Sequence, residues 1–301
     1  MLRSPSKALI GTVLLTASAV AYSSAGFFTR LIHVDAWTLL FWRGLFGGGF
    51  TVLFLVAMQG RRGLRDLVTM SPSGWLVAAL STFGMVTFIP SLQLTSVANV
   101  AIIVAFQPFA AAVIAWLWLR EKAAPHTMLA SLVALAGIVV IVSGAAGAAD
   151  YRGIGLAMLM ILSISLMTVV IRRHRDTSMV AAASVSNFLG SLVSIPFAQG
   201  IGVVTSSDLG ILAIFGLFQV GLGLTFFTIG SRHLPSGQAS LIGTLETPLM
   251  AFWVWLGFGE IPSLRALIGG ALVMGAVVFD ILADGRAHAG DAEAKSVASG
   301  E

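Results

Sequence analysis

The sequence contains no cysteine and few charged residues, and both deficits restrict what the protein can do. Without cysteine the chain forms no disulfide, no thiolate metal site and no cysteine nucleophile. Only 10% of its 301 residues are charged, whereas 57% are hydrophobic. Soluble domains carry about a quarter charged residues, so this chain has too little polar surface to face water. The mean hydropathy of +0.96 agrees, and the composition predicts an all-α integral membrane protein.

The motifs of several enzyme and pump classes are absent as well. The sequence has no HExxH zinc motif and no GxxxxGK[ST] phosphate-binding loop. All five histidines fall in loops, span ends or the tail, so no serine has a histidine partner inside a predicted span. We therefore expect neither an enzyme nor a direct ATPase, and we predict no metal and no cofactor.

Ten apolar runs are separated by charged residues or by proline and glycine. Each has roughly the 20 residues that a helix needs to cross a hydrocarbon core about 30 Å thick. The first run continues through Ala21 and Phe28 without an A-x-A site, so we expect a retained helix rather than a signal peptide. The predicted spans are 7–29, 36–58, 74–95, 97–119, 126–144, 153–172, 178–199, 208–230, 237–258 and 263–283.

The basic residues predict the direction of insertion. Of the 17 lysines and arginines, 13 fall on one side of the alternating spans, and Arg43 lies inside the second span. The other side holds only Arg30, Arg152 and Arg265. The positive-inside rule then places both termini in the cytoplasm of a bacterial-type inner membrane. The net charge of +4 and the pI near 10.1 come from these short clusters, so they do not indicate a nucleic-acid partner.

The two halves of the sequence share a pattern. Residues 101–121 read AIIVAFQPFAAAVIAWLWLRE, and residues 241–260 read LIGTLETPLMAFWVWLGFGE. Each segment has a central proline (Pro108, Pro248), an aromatic-rich stretch and a final glutamate (Glu121, Glu260). The prolines are 140 residues apart and the glutamates 139. Five spans in each half would insert the second copy upside down, as in many secondary transporters.

This pattern divides the chain into three parts. Residues 1–150 form the first five-helix repeat, and residues 151–284 form the second, inverted repeat. Residues 285–301 are rich in alanine, glycine and serine with mixed charge, which predicts a disordered cytoplasmic tail.

The segment from Leu94 to Lys122 and its partner from Gln238 to Glu260 resemble the paired signatures of the EamA-type drug/metabolite transporter superfamily. The resemblance extends to about residue 283, and Arg43 in the second span also fits it. It implies ten helices in two inverted five-helix repeats, alternating access around a central cavity, and cytoplasmic termini. Within the superfamily the chain looks like the amino-acid and metabolite exporters.

Glu246 is the carboxylate that the sequence places deepest in a span. A charge at the centre of a membrane helix costs roughly 2.5–3.5 kcal/mol, so this residue should face a cavity, be protonated or have a partner. It could couple protons or bind a substrate amine, or it could be a protonated hydrogen-bonding group between helices. The spacing of the prolines makes Phe106 its equivalent in the first repeat.

The other candidate site residues are neutral or aromatic. Gln107 and Gln219 could orient a ligand or bond neighbouring helices, and Pro108 and Pro248 are predicted helix kinks beside a cavity. Arg43 is expected to snorkel to the outer surface, with a gate pair to an outer carboxylate as the alternative. The candidate cavity aromatics, each also explained by packing or lipid contact, are Tyr22, Phe83, Phe88, Phe106, Phe218 and Phe226.

Together these features favour a secondary transporter that exports small metabolites, with amino acids, apolar and aromatic ones included, as the preferred substrates. A multidrug or lipophilic-cation exporter is the alternative within the same class. A channel or structural membrane subunit is the alternative of another class. The expected partners are a small-molecule substrate and the lipid bilayer, and a monomer would suffice.

Overall fold

The computed structural model describes residues 7–95, 97–143, 150–174 and 179–299, and every regular element within these ranges is helical. A π-helical segment, Gly216–Leu222, lies between α11 and α12. The α-helices are α1 (Lys7–Ser23), α2 (Ala25–Leu31), α3 (Ala36–Gln59), α4 (Arg61–Val68), α5 (Pro72–Leu94), α6 (Val97–Val104), α7 (Gln107–Leu119), α8 (Pro125–Val142), α9 (Tyr151–Arg173), α10 (Val180–Ser194), α11 (Ser206–Phe215), α12 (Gly223–Gly230), α13 (Ser236–Gly243), α14 (Glu246–Phe258) and α15 (Leu264–Ser299).

The helical segments follow the predicted spans closely. In the described part of the chain, nine segments are long and apolar enough to cross a membrane. The predicted seventh span, 178–199, is represented by α10, an apolar helix of 15 residues. Pro196 follows soon after α10, and it has no backbone N–H to donate to the carbonyl of Leu192 four residues earlier. The first residue of that predicted span, 178, lies outside the described residues, and the count of ten spans stays a prediction.

Two spans are interrupted near their middles, at matching places in the two repeats. A turn at residues 105–106 separates α6 from α7, and a turn at residues 244–245 separates α13 from α14. Pro108 and Pro248 follow these turns, and a proline ring collides with the carbonyl four residues earlier. Those carbonyls belong to Val104, the last residue of α6, and to Thr244, just after α13. The prolines therefore divide helices rather than merely bend them.

The helix bounds correct the register of the repeat. α7 and α14 each have 13 residues, and they begin at Gln107 and Glu246. Each is followed by a residue with left-handed backbone, Arg120 (φ 57°) or Gly259 (φ 67°). The first residues of the two helices are 139 positions apart, and so are the two left-handed residues. The structure therefore pairs Glu246 with Gln107 and not with Phe106. The prolines differ by one position because the first helical turn has free N–H groups and tolerates proline throughout.

Small residues allow the helices to approach closely. α8 packs along α15, α5 along α9 and α3 along α10. A Cβ on Gly137 of α8 would lie 2.7 Å from the carbonyl oxygen of Gly269 in α15. Close backbone contact through glycine is typical of helix packing in membranes. A buried cluster that includes Leu15, Ile171 and Leu241 joins helices of both repeats.

The last helix is longer than the sequence predicts. α15 extends to Ser299, so its backbone is helical through residues for which composition predicts disorder. Alanine, glutamate and lysine favour helix on their own, which explains the difference. Residues 300–301 of the predicted tail lie outside the described residues.

Candidate functional site

Four polar side chains from four elements gather between the two repeats. Tyr22 comes from α1 and Arg43 from α3, whereas Gln219 comes from the π-helical segment and Glu246 from the start of α14. Hydrogen bonds connect the first three, and Glu246 interacts electrostatically with Tyr22 and with Arg43. We call these four residues the midplane cluster, because each lies well inside one of the apolar segments that are long enough to cross a membrane.

Arg43 points into the bundle. Its Nη1 donates a hydrogen bond of 2.6 Å to Oε1 of Gln219, and its guanidinium carbon lies 5.7 Å from the centroid of the buried Phe215 ring. The expectation that this side chain snorkels to the outer surface is therefore wrong. A guanidinium in an apolar helix is stabilised better by a polar acceptor and an aromatic face than by lipid. Its Nε is buried, and no hydrogen bond among the described residues reaches it.

Glycines bring α3 against the π-helical segment and so position Arg43 beside Gln219. A Cβ on Gly47 would lie 2.8 Å from Cβ of Val220, and one on Gly216 would lie 2.7 Å from the carbonyl oxygen of Arg43. π-Helical turns insert an extra residue into a helix and are frequent at functional sites. Gln219 in this turn is buried, and its Nε2 donates a 3.3 Å hydrogen bond to the carbonyl oxygen of Tyr22.

Glu246 is partly buried and faces the other three residues of the midplane cluster, but it forms no direct ion pair with Arg43 in the described residues. Within the described residues, no salt bridge of 4.0 Å or less joins Glu246 to Arg43. The acid and the base are close enough to interact electrostatically, yet their charged atoms stay apart. The arrangement can therefore offer a carboxyl group and a guanidinium to a ligand at the same time.

The repeat-equivalent of Glu246 makes a different contact. Gln107 is partly buried at the start of α7, and its backbone carbonyl accepts a 3.4 Å hydrogen bond from Ser165 Oγ of α9. One repeat thus places an acid at this position, and the other places a neutral amide of the same length.

In the described structure, no hydrogen bond or ring contact joins the side chains of the remaining candidate residues to the cluster. Phe226 is partly buried on α12, and Phe218 is partly open on the π-helical segment. Phe83, Phe88 and Phe106 are each between 36% and 48% exposed, and the ring contact recorded for Phe106 is with Phe109. Their role in binding stays a prediction.

The two predicted helix-kink prolines pack against glycines. Pro108 is buried, and its carbonyl oxygen lies 3.7 Å from where a Cβ on Gly237 would stand. Pro248 is partly buried, with its Cβ 3.2 Å from the corresponding position of Gly270.

Two ion pairs connect the repeats at opposite ends of the bundle. Arg30 at the end of α2 pairs with Glu260, which follows α14. Arg172 near the end of α9 pairs with Glu121, which follows α7, with 3.4 Å between Nε and Oε2. The arginines are 142 residues apart and the glutamates 139. The two pairs therefore correspond to each other in the repeat.

Closer to the middle, a second set of contacts also crosses between the repeats. Trp253 Nε1 of α14 donates a 2.9 Å hydrogen bond to Ser23 Oγ of α1. Ser165, 142 residues after Ser23, donates instead to the backbone carbonyl of Gln107, which lies seven residues before the repeat-equivalent of Trp253. We call the contacts of Ser23 and Arg30 the first tether, and those of Ser165 and Arg172 the second tether.

The end of the bundle that holds the second tether is strongly basic. Arg172 Nη1 donates a 2.8 Å hydrogen bond to the carbonyl oxygen of Arg232. Burial lowers the pKa of the neighbouring His233, and the positive charges of Arg232, Lys7 and Arg172 lower it further. A cavity of about 60 Å³ opens here beside Glu121, away from the midplane cluster.

Asp280 is a buried carboxylate that the sequence analysis missed. It lies in α15 with no exposed surface, and its Oδ1 accepts a 2.7 Å hydrogen bond from Thr127 Oγ1. Nε2 of His126 lies 3.6 Å from the same oxygen. Its position three residues before the end of the predicted span 263–283 made it look peripheral. In the described residues, no group of three or more histidine, aspartate and glutamate side chains gathers that could hold a metal ion.

Comparisons with known proteins agree with this architecture. The sequence profile of the EamA-like transporter family matches the chain twice, over residues 9–143 and 151–281. A riboflavin transporter of Rhizobium johnstonii is 24% identical over 290 residues, which cover 91% of this chain and 92% of that protein. An uncharacterized transporter of Bacillus subtilis, YdfC, is 26% identical over 255 residues, or 81% of each chain. A crystal structure with 19% identity has a similar fold, with a TM-score of 0.78 over 90% of this chain and 97% of the other.

Proposed function

The chain belongs to the EamA-like transporter family, and from this premise we propose that it exports small metabolites, amino acids foremost, by alternating access. The midplane cluster is the observation that carries the proposal. It joins residues of both repeats beside the interrupted span of α13 and α14. Secondary transporters bind substrate near the midplane where their repeats meet, commonly beside broken helices.

The chemistry of the cluster suits an amino acid. Glu246 can attract an ammonium group, and Arg43 supplies the opposite charge. The surrounding helices are largely apolar, which suits an apolar or aromatic side chain. The distribution of basic residues supports a bacterial-type inner membrane with both termini in the cytoplasm, and with the end that holds Arg172 and Lys7 on the cytoplasmic side.

The two tethers give alternating access a physical basis. Opening toward the outside would separate α1 and α2 from α14, and would break the contacts of Ser23 and Arg30. Opening toward the cytoplasm would separate α9 from α7, and would break those of Ser165 and Arg172. Because each tether crosses between the repeats at one end, rocking of one repeat against the other can release one while keeping the other.

Two other substrates deserve assay beside amino acids. The relative named a riboflavin transporter makes riboflavin a candidate. Glu246 and the aromatic residues would also suit a lipophilic cation. A channel or structural subunit is the alternative of another class, and saturation of transport separates a carrier from a pore.

The test is uptake of labelled amino acids by purified protein in liposomes, with and without a pH gradient. The variant Glu246→Gln removes the charge but keeps the size of the side chain. Asp66→Asn makes the same kind of change in α4, away from the cluster, and serves as the control. Saturable uptake that unlabelled substrate competes away supports the proposal.

The response to the gradient then assigns the coupling. If the gradient accelerates uptake by the wild type and Asp66→Asn but not by Glu246→Gln, the glutamate couples protons. If none responds, the protein is a facilitator. Unsaturable flux would indicate a pore, and folded protein that takes up no amino acid would turn the assay to riboflavin and lipophilic cations.

A further inference from the structure

We infer that Arg43 recognises the carboxylate of the transported solute, so that the site selects zwitterions over amines that have no carboxylate. The inference rests on the proposed function and deepens it, because it assigns the substrate class to one side chain. It follows from three features of Arg43: an unsatisfied buried donor, a fixed orientation and an opposite charge held at a distance.

The unsatisfied donor is Nε. It is buried, and none of the hydrogen bonds in the described structure reaches it. Buried polar groups in proteins almost always have partners, and an exception calls for an explanation. A donor left unpaired costs roughly 1–3 kcal/mol, and more when it carries charge. An acceptor that arrives with the substrate would supply the missing partner.

The guanidinium is fixed before any ligand binds. Gln219 accepts from Nη1 at 2.6 Å, and the same glutamine is anchored through Nε2 to the carbonyl of Tyr22. The Phe215 ring supports the guanidinium from 5.7 Å. These contacts occupy one nitrogen and leave Nε free. The planar fork of arginine matches the two oxygens of a carboxylate, and a donor that is already oriented loses little entropy on binding.

The charges around Arg43 favour a zwitterion. Glu246 interacts electrostatically with Arg43 but forms no ion pair within 4.0 Å of it in the described residues. A zwitterion can place its carboxylate at Arg43 and its ammonium toward Glu246. A simple amine would be repelled by the guanidinium, which has no ion-pair partner among the described residues, and a simple anion by Glu246. Neutral amide contacts alone would not make this distinction.

The experiment compares two labelled probes with the same aromatic ring and the same amine. Phenylalanine carries the carboxylate, and 2-phenylethylamine does not. Uptake of each is measured with purified protein in liposomes for the wild type, Arg43→Gln, Arg43→Lys and the control Arg62→Gln, which changes an exposed arginine in α4. Concentration series give kcat/KM for each probe.

We expect the wild type to prefer phenylalanine by at least about tenfold, since a hydrogen bond to a charged group contributes at least that factor. Arg43→Gln should lower kcat/KM for phenylalanine at least about tenfold and leave or raise that for 2-phenylethylamine. Arg43→Lys should lie between, because it keeps the charge but loses the fork. Arg62→Gln should behave as the wild type.

Two results would overturn the inference while the proposed function stands. One is wild-type transport of both probes with equal kcat/KM, which needs no variant to fold. The other is an equal loss for both probes in folded Arg43→Gln, which would make Arg43 a positioning residue. A folded wild type that transports neither probe nor any amino acid would overturn the proposed substrate and the inference together.

Discussion

Asp280 has no exposed surface, although it lies in a helix that crosses the bundle from end to end. Burial of a carboxylate is unfavourable unless hydrogen bonds compensate it. Thr127 donates to its Oδ1 at 2.7 Å, and His126 approaches the same oxygen to 3.6 Å. Because these partners belong to α8, the contact joins α8 to α15. We therefore assign Asp280 a structural role.

Replacement of Asp280 should reveal that role as a loss of stability. Asp280→Ala leaves the Thr127 hydroxyl without its acceptor, and we expect a loss of about 1.5–3 kcal/mol. Asp280→Asn keeps an acceptor oxygen and should lose less. Thermal unfolding of the purified protein in detergent measures both. Uptake per folded molecule should not change.

The opposite pattern would contradict this assignment. If Asp280→Asn unfolds at the wild-type temperature but no longer responds to a pH gradient, Asp280 is the coupling residue rather than Glu246. Thermal unfolding and the response of uptake to a pH gradient therefore distinguish the roles of Asp280 and Glu246.

Residue types alone predicted part of the candidate site. Ionisable residues inside apolar spans are costly and therefore conspicuous, which singled out Glu246 and the in-span Arg43. The sequence does not show which way a side chain points. The inward turn of Arg43 depends on a glutamine 176 positions later, and no local pattern contains that contact.

At the scale of the elements, the crossing of α3 and the π-helical segment holds the cluster together. Gly47 and Gly216 lie at the closest approach, one turn from Arg43 and one turn from Gln219. A side chain at either glycine would separate the two elements. The hydrogen bond between Arg43 and Gln219 would lengthen as a consequence.

Two glycine substitutions in α3 test this crossing. Gly47→Ala places a methyl group 2.8 Å from Cβ of Val220 and 2.9 Å from the Gly216 carbonyl oxygen, so one element must move. We expect a destabilisation of about 1–3 kcal/mol and slower uptake. Gly49→Ala is the matched control, because no atom of the described residues lies within 4 Å of its added Cβ. That change should stabilise the helix by up to about 1 kcal/mol.

Thermal unfolding and amino-acid uptake of both variants are compared with the wild type. If Gly47→Ala and Gly49→Ala behave alike, the close approach does not control the cluster. Faster uptake by Gly47→Ala would likewise argue against the crossing as the support of Arg43.

Long apolar runs made most helices predictable from the sequence. The interruptions within these helices were harder to predict. The predicted span 36–58 agrees with α3 to within one residue, since Gly60 and the charged residues of α4 follow it directly. Pro108 indicated a kink but not a full break into α6 and α7. The π-helical segment contains no proline that would predict an irregular helix, and its conformation depends on packing against α3. The positions of the two prolines differ by one residue between the repeats, and this difference led to the wrong pairing of Glu246 with Phe106.

At the scale of the whole molecule, the two repeats contact each other through matching elements at each end. Arg30 and Ser23 of the first repeat bind Glu260 and Trp253, whereas Arg172 and Ser165 of the second bind Glu121 and Gln107. Both tethers are formed in this structure. The proposed alternating access requires that weakening one tether favours opening at that end alone, because the ligand site must not open to both sides at once.

Thiol labelling can measure this directly, because the chain has no cysteine of its own. Ser23→Cys and Ser165→Cys introduce single reporters at positions with no exposed surface. Glu260→Gln weakens the first tether and should speed modification of the thiol at position 23 by a membrane-impermeant reagent, while the thiol at 165 is protected. Glu121→Gln should do the reverse, and each variant is the control for the other. Equal changes at both thiols would mean that the tethers only stabilise the fold, and that the repeats do not rock about the midplane cluster.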